Sequence, residues 1–459
     1  MSSRRKRVFL GTVEIAGFYT KLASALRASG VDCAFVELLP HSFNYGFPDV
    51  ETPRIVRWVQ MIARLHQALP HKTLFDRFRR FALHILNLAL RIALVLPWAA
   101  HRFDVFCFGF ATNIVGTGWG YWDIALLRFL GKRIIFMFHG ADSRPPYLTG
   151  PYVRRARSGS LDWSRALYEL TCQRRREIDA INRNADVIID ASVHGHFHTR
   201  RLVDYAWIGF PCPVETGASD SSRRLDDALT RSTVRILHAP SDRDAKGSDL
   251  IAACIDRLKN EGHDIEYYEL HGLPNATVVR ELGHCDFVID QLYSDFPLAG
   301  FAAEAASQGK PAVVCGYVQD RNLIDRFPTH YCHPDELESA VRRLLLEPEY
   351  RKRLGHQAKQ FVEESWAPLA VARKWQRIID GSIPHEWWFD PNATTYVHGG
   401  GMSEELLRET VRELVRRYGL SALELDDKPT LRDRLLKLSL SVDSRVAPGA
   451  VAIPHISGR

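Results

Sequence analysis

The chain is 459 residues long, with 46% hydrophobic residues, 25% charged residues and a net charge of +6. This is a globular balance with room for two or three domains, and it excludes a collagen-like chain, a wholly disordered one and a disulfide-stapled miniature. The charge is uneven: residues 1–210 hold 29 Lys and Arg against 16 Asp and Glu, a surplus of 13, whereas the remainder holds 31 against 38, a deficit of 7. A basic front and an acidic back point to different partners for the two halves.

The first residues carry Arg4, Arg5, Lys6 and Arg7 ahead of Val8-Phe9-Leu10-Gly11. The apolar run is too short for a secretory signal and is soon broken by Glu14, so the segment reads as a solvated tail entering a strand. Arg7–Thr12 predicts that strand, Ala16–Ala28 an amphipathic helix ending at Gly30, and Asp32–Leu38 a second strand. Phe81–Ala100 is strongly apolar but contains His84, Asn87, Arg91 and Pro97, with Asp76-Arg77-Phe78-Arg79-Arg80 just before it. A helix of a soluble domain is the first expectation, a helix lying on a membrane surface the second, and a span is disfavoured. Strands follow at Asp104–Phe110, Arg133–Phe138 and Asp186–Asp190, with a loop carrying Gly116, Gly118, Trp119 and Gly120 after the first of them.

Loop formers and dense charge over 212–232 predict a linker. The alternation then restarts with strands at Val234–His238, Ile265–Leu270, Asp286–Leu292 and Pro311–Gly316, and helices at Ser248–Glu261, Asn275–Leu282 and Phe301–Gln308. Further helices are expected at Asp335–Leu346, Glu349–Glu364 and Pro368–Ile379, then at Ser403–Tyr418 and Leu431–Leu440 after an aromatic, Gly-rich stretch. The βαβ rhythm predicts an α/β protein of two Rossmann-like, doubly wound domains facing a cleft, plus a C-terminal appendage. The expected boundaries are 1–211 for an acceptor-side domain, 212–232 for the linker, 233–366 for a nucleotide-sugar-binding domain, 367–383 for a helix crossing back, and 384–459 for the appendage. Eight cysteines, far apart and without a Cys-x-x-Cys pair, read as buried thiols in a reducing compartment.

Two segments carry the chemistry. In Leu237-His238-Ala239-Pro240-Ser241-Asp242-Arg243-Asp244-Ala245-Lys246-Gly247-Ser248 a strand ends, a polar loop carries two cations and a helix begins. Free N–H groups and the positive end of the helix dipole favour a phosphate there, and Arg243 and Lys246 add full charges; a solvated turn with an ordinary cap is the plainer alternative. In Pro297-Leu298-Ala299-Gly300-Phe301-Ala302-Ala303-Glu304-Ala305, followed by Gly309-Lys310-Pro311, a lone acid sits on a face of small residues, suited to reading a hydroxyl. A solvated helix acid is the alternative.

Together these segments resemble the nucleotide-binding half of GT-B glycosyltransferases, in particular the retaining, family-4-like enzymes. The resemblance is best over 233–320 and extends loosely from 7 to 380. It implies that Arg243, Lys246 and Gly247 hold the donor diphosphate, and that Glu304, on the helix opening near Gly300, holds the ribose. It implies that His139, in Phe138-His139-Gly140-Ala141-Asp142, faces the donor sugar, with Asp142 positioning the acceptor or the loop. Gly11 and Thr12 resemble the tight turn by which the family's first domain approaches substrate. Two positions depart from the pattern: Ser241 stands where an Arg is usual, and Phe296 where a first Glu is usual, with Asp295 beside it.

The implied activity is metal-independent transfer of a sugar, with retention, from a nucleotide-diphosphate sugar to a glycan or lipid-linked acceptor in cell-surface polysaccharide or glycoconjugate synthesis. The alternatives are a catalytically silent nucleotide-binding scaffold and a nucleotide-sugar epimerase. No cofactor beyond the donor substrate and no nucleic-acid partner is expected. The basic half suits an anionic membrane surface, so a cytoplasmic protein, peripheral on the inner membrane face, is the expected setting.

Overall fold

The computed structural model describes residues 6–38, 53–70, 73–110, 112–116, 120–213 and 233–441. Most of the expected linker, two residues of the Gly-rich loop (Gly118 and Trp119) and the chain end after 441 lie outside the described residues.

Among the described residues the strands form two sheets. The first contains β1 (Arg7–Leu10), β2 (Asp32–Phe35), β3 (Val105–Gly109), β4 (Arg133–Met137), β5 (Val187–Asp190) and β6 (Leu202–Asp204). The second contains β7 (Val234–His238), β8 (Ile265–Glu269), β9 (Phe287–Ile289), β10 (Ala312–Cys315) and β11 (His330–Cys332). A twelfth strand, β12 (Trp388–Phe389), returns from the chain's C-terminal part to the edge of the first sheet. The first sheet runs β12-β6-β5-β4-β3-β1-β2 and the second β11-β10-β9-β7-β8. All neighbours are parallel except β12, which runs antiparallel to β6.

The inner strands read as continuous apolar runs because helices cover both faces: β3 and β5 are buried at every residue. Each sheet reverses its winding once, between β1 and β3 in the first and between β7 and β9 in the second. In doubly wound sheets the crevice outside the carboxyl ends at such a switch point is where ligands sit. The two carboxyl-end surfaces meet, which makes the arrangement the two-domain GT-B one.

The 22-residue helix Trp163–Asn184 carries no strong sequence signal, because Arg165, Arg174, Arg175 and Arg176 dilute a narrow inward set of Leu167, Thr171, Ile178 and Ile181. The segment expected to be a strand to Leu292 stops at Ile289, since Asp290 and the residues after it leave the sheet for the cleft. The helix Pro368–Asp380 lies on α1 (Phe18–Ala28), with Trp375 and Phe18 in edge contact at 6.3 Å and Arg133 Nη2 donating to Ile378 O.

The C-terminal appendage is built into the first domain. Leu407, Val411, Leu414, Leu423, Leu425, Leu431 and Leu435 are each at most 3% exposed and share one core with Tyr147, Leu148, Val153 and Leu167. Tyr418 stacks on Tyr168 at 4.7 Å, and Tyr147 Oη donates to Leu423 O. Lys428 is buried and donates its ammonium to the carbonyls of Gly195, His198 and Pro391. Each buried Leu or Val contributes about 1.5–3 kcal/mol, so seven of them match the whole stability of a domain, about 5–15 kcal/mol. Truncation after residue 383 is therefore expected to unfold the first domain. Circular dichroism and limited proteolysis would check this, and a truncated chain that kept a cooperative melt and resisted protease would contradict it.

Candidate functional site

In the second sheet, β7 ends at His238 and β9 at Ile289, the two strands of the switch point. His238 ties them together: its Nδ1–H donates to Ile289 O at 2.8 Å and its Nε2 accepts the Ser248 hydroxyl at 2.8 Å. Burial pushes this imidazole down to about 4, so it is neutral at pH 7. Asp242 caps the short helix Arg243–Lys246 by accepting from Ala245 N. Gly247 then turns the chain into the helix Ser248–Asn260. It has φ +70°, and a Cβ would lie 2.7 Å from Leu292 Cδ1, so both conformation and space require glycine.

The two cations of this loop part company. Lys246 turns inward, its Nζ 3.1 Å from Oδ1 of buried Asp290, whose Oδ2 has no partner among the described residues. Arg243 stays at the surface, paired with Asp249 at 2.6 Å and with Glu269. Glu304 is half-buried, with Asn275 Nδ2 donating to its two carboxylate oxygens at 3.0 and 3.2 Å. Burial raises its carboxyl above the ordinary value, against the pull of Asn275 and of Lys21, which reaches it from α1 of the other domain. Gly300 opens the helix Gly300–Ser307, and beyond its chain neighbours and its own helix backbone no atom lies within 4 Å of where a Cβ would be, leaving space at that end.

Phe296 is a core residue, 4.9 Å from Phe327 and 5.5 Å from Tyr205 between ring centres. Asp295 beside it points across the cleft instead. Its Oδ2 lies 2.8 Å from His194 Nε2, and it pairs with Arg144, both residues of the first domain.

The first domain meets this loop with the carboxyl ends of β4 and β5. After β4, Asp142 folds back so that Oδ1 accepts His139 N at 2.7 Å, while Oδ2 is buried without a partner among the described residues. Arg174 Nη1 donates to Asp142 O. The His139 ring has Nε2 3.1 Å from Tyr19 Oη and meets Phe18 edge-on at 5.7 Å. Burial lowers His139 to about 4, and burial together with the nearby Asp190 charge raises Asp142 to about 7. At the end of β5, Asp190 faces Nδ1 of His194 and Nε2 of His198, each at 3.0 Å. Burial works to raise Asp190, but these two imidazoles outweigh it and hold the carboxyl well below the ordinary range.

A strap crosses between the domains. Gly400 N donates to Leu148 O and Gly401 N to Tyr293 O, both at 2.9 Å, so Gly399–Gly401 bonds to both sides. A Cβ on Gly400 would lie 2.5 Å from the Arg144 guanidinium, and one on Gly401 3.2 Å from Ala245 Cβ in the Lys246 loop. Only a chain without side chains passes here.

Of the residues expected from sequence, His139 and Asp142 are linked directly, and Lys246 and Gly247 lie at the switch point with Asp290 as partner. Glu304 lies within the field of Asp290 and Lys21. Gly11 and Thr12 follow β1 at the other switch point. A Cβ on Gly11 would run into Val36 O, and the Thr12 hydroxyl, 1% exposed, donates to Thr112 Oγ1 at 2.9 Å. Residues not singled out from sequence are Arg144, Asp190, His194, His198 and Asp290. The spacing of Asp190, His194 and His198, four residues apart after a strand end, is the one signal that points to them.

No protein-family model matches the chain, and no curated protein matches it. Among solved structures it is similar to Anabaena HepE in complex with UDP-glucose, at 11% identity and TM-score 0.46 over 82% of this chain and 99% of that one. It is similar to WaaG, a glycosyltransferase involved in lipopolysaccharide biosynthesis, at 12% identity and TM-score 0.45 over 82% and 99%. A glycosyltransferase from Rickettsia africae gives 10% identity and TM-score 0.45 over 82% and 99%. These likenesses are too distant to bear on function, and the fold stands on the sheet order itself.

Asp142 supplies a pH test. Its carboxyl stands at about 7 in the folded chain against an ordinary 3.8. The folded chain therefore holds the proton more tightly: this contribution is complete below the ordinary value and is lost as the pH rises through 7. Asp142→Asn keeps the oxygen that accepts His139 N and removes the titration. Its stability relative to the parent should climb between about pH 4 and 7 and level off above that, by about 4 kcal/mol at most. Thermal melts across that range would read this, and a pH-independent difference would contradict it.

Proposed function

We propose that the chain is a glycosyltransferase that moves a sugar from a nucleotide-diphosphate sugar to a glycan or lipid-linked acceptor, in the synthesis of a cell-surface polysaccharide or glycoconjugate. The observation that carries the reading is the position of Lys246 and Gly247 at the switch point of the second sheet, opening the helix Ser248–Asn260 next to Asp290. In this reading Asp290 holds the Lys246 ammonium in place, and the ammonium and the helix N–H groups take the charge of the leaving diphosphate. Glu304 accepts from the ribose hydroxyls, with Asn275 fixing its carboxylate. His139, neutral at pH 7, faces the donor sugar, and Asp142 sets the backbone turn that presents it.

Departure of the diphosphate and attack by the acceptor hydroxyl then occur on one face of the sugar: the sugar–phosphate bond breaks, the new glycosidic bond forms, and the hydroxyl's proton passes to a departing phosphate oxygen, a course that retains configuration without a nucleophile from the chain. The residues named supply the diphosphate's counter-charge from Lys246 and the helix end, with no metal in the scheme. The cytoplasm is the proposed site of action, in keeping with eight cysteines that are all free thiols.

Titration calorimetry with UDP, GDP and their sugar conjugates tests this. One of these should bind, and Lys246→Ala and Glu304→Ala should each weaken it about 10- to 100-fold, the value of a hydrogen bond to a charged group. No binding by any of them, or full binding by both variants, would overturn the reading.

One observation favours a second reading, a silent nucleotide-binding scaffold. Each cation of the loop already has a carboxylate partner, and the Gly399–Gly401 strap passes beside that loop. Under it the chain binds a nucleotide and turns over no donor, with or without acceptor. Release of free nucleoside diphosphate from a bound nucleotide sugar, followed by a coupled enzymatic assay, separates the two.

A further inference from the structure

Helices α2 (Arg54–Ala68) and α3 (Leu74–Leu90) form a hairpin on the first domain, packed on each other through Val59 O, which accepts from Asn87 Nδ2 at 2.8 Å. Helix α2 buries one face, α3 buries only Asn87 and Leu88 near its C-terminal end, and both leave apolar side chains in the open. On α2 the buried set is Val56, Val59, Ile62 and Ala63, yet Trp58, Met61 and Leu65 are about half exposed. On α3, Leu74 is 81% exposed and Phe75 and Phe78 are 67% exposed, with Phe81 at 63%. Leu74, Phe78, Phe81 and Ile85 follow helical spacing, so they form one stripe along α3. A stripe of this size on a folded chain marks an interaction surface.

The charge around the stripe names the occupant. From 53 to 102 the sequence has a single acid, Asp76, and its carboxylate accepts Thr73 N in the helix cap. Arg54, Arg64, Arg77 and Arg79 are exposed on the same two helices, and the Arg79 guanidinium lies 5.7 Å from the Phe75 ring. Aromatic and aliphatic side chains between arginines, with almost no acids, match the boundary between acyl chains and anionic headgroups.

The run Leu74–Arg102 is long enough to cross a bilayer, and its most apolar 18 residues have mean hydropathy 1.7. It does not need to cross. Leu88, Val95, Leu96 and Ala99 are buried in the core of the first domain, and buried Arg91 donates to Leu38 O. Spanning would strip these from the core and carry Arg91 into hydrocarbon. Lying in the plane of the interface keeps both faces of the hairpin satisfied.

We infer that the α2–α3 hairpin docks the protein on an anionic lipid bilayer, with its aromatic stripe inserted and its arginines on the headgroups. Docking of this kind is independent of the transferase reading and survives or fails without it. Co-sedimentation of the full chain with vesicles tests it. Binding is expected to phosphatidylcholine vesicles containing phosphatidylglycerol, and to be weaker to phosphatidylcholine alone. Phe75→Ser/Phe78→Ser/Phe81→Ser should weaken binding at least about tenfold at low and at high salt. Arg77→Gln/Arg79→Gln should cost about fivefold per charge on the anionic vesicles only, and high salt should erase that difference. A melting temperature equal to the parent's shows that the triple variant is folded; where it is not, Phe78→Ser alone carries the test with a smaller loss. Absence of binding to either vesicle, or parental binding by the serine variants, would overturn the inference. So would a lipid-free dimer, seen by analytical ultracentrifugation, that the same variants dissociate, because the stripe would then be covered by a second copy.

Discussion

Asp295 stands on a loop of the second sheet, yet its carboxylate is held by Arg144 and His194 of the first domain. All three side chains are largely out of water, 15% exposed or less. Desolvating charges is costly, and the cost is offset only when every partner is in place. Arg144 supplies the countercharge, and His194 is oriented from behind by Asp190, which also faces His198. A network of this kind is worth little when incomplete, so it favours one relative placement of the two sheets. The cleft inherits its geometry from that placement: the Lys246 loop, Glu304 and the His139–Asp142 turn are positioned by separate strands, and the Asp295 loop brings the strand ends together.

The C-terminal segment adds a second tie of different character. It contributes β12 to the first sheet, fills that domain's core, and crosses the cleft as Gly399–Gly401 with backbone bonds to Leu148 on one side and Tyr293 on the other. Arg154 Nη1 donates to Gly401 O, so the strap is also gripped from the first domain. Because the strap packs against Arg144 and Ala245 at once, any change in domain separation must move it. The two ties therefore act on the same degree of freedom.

Much of the fold is legible in the sequence, since most inner strands are apolar runs rich in Val, Ile and Phe between polar turns. The edges are not: β6, β11 and β12 are two or three residues long, too short for periodicity, and the helix Trp163–Asn184 hides its inward stripe among arginines. The site divides in the same way. Lys246-Gly247 and Glu304 belong to local strand–loop–helix patterns that a sequence displays. Arg144, His194 and Asp295 acquire meaning only from each other, across 50 to 151 residues of chain, and no local pattern records that. Phe296 is instructive: what reads as a lost acid is a side chain packed on Phe327, while the acid one residue earlier turns to the opposite domain.

A double-mutant cycle across Arg144 and Asp295 tests the dependence of the structure on this bridge most directly. Arg144→Met, Asp295→Leu and the double variant would be compared in chemical denaturation at neutral pH. Each single change, by leaving a buried charge unpaired, is expected to cost far more than its share of the double, with a coupling energy of at least about 2 kcal/mol. Single effects that add to the double within about 0.5 kcal/mol would contradict a structure that depends on this bridge.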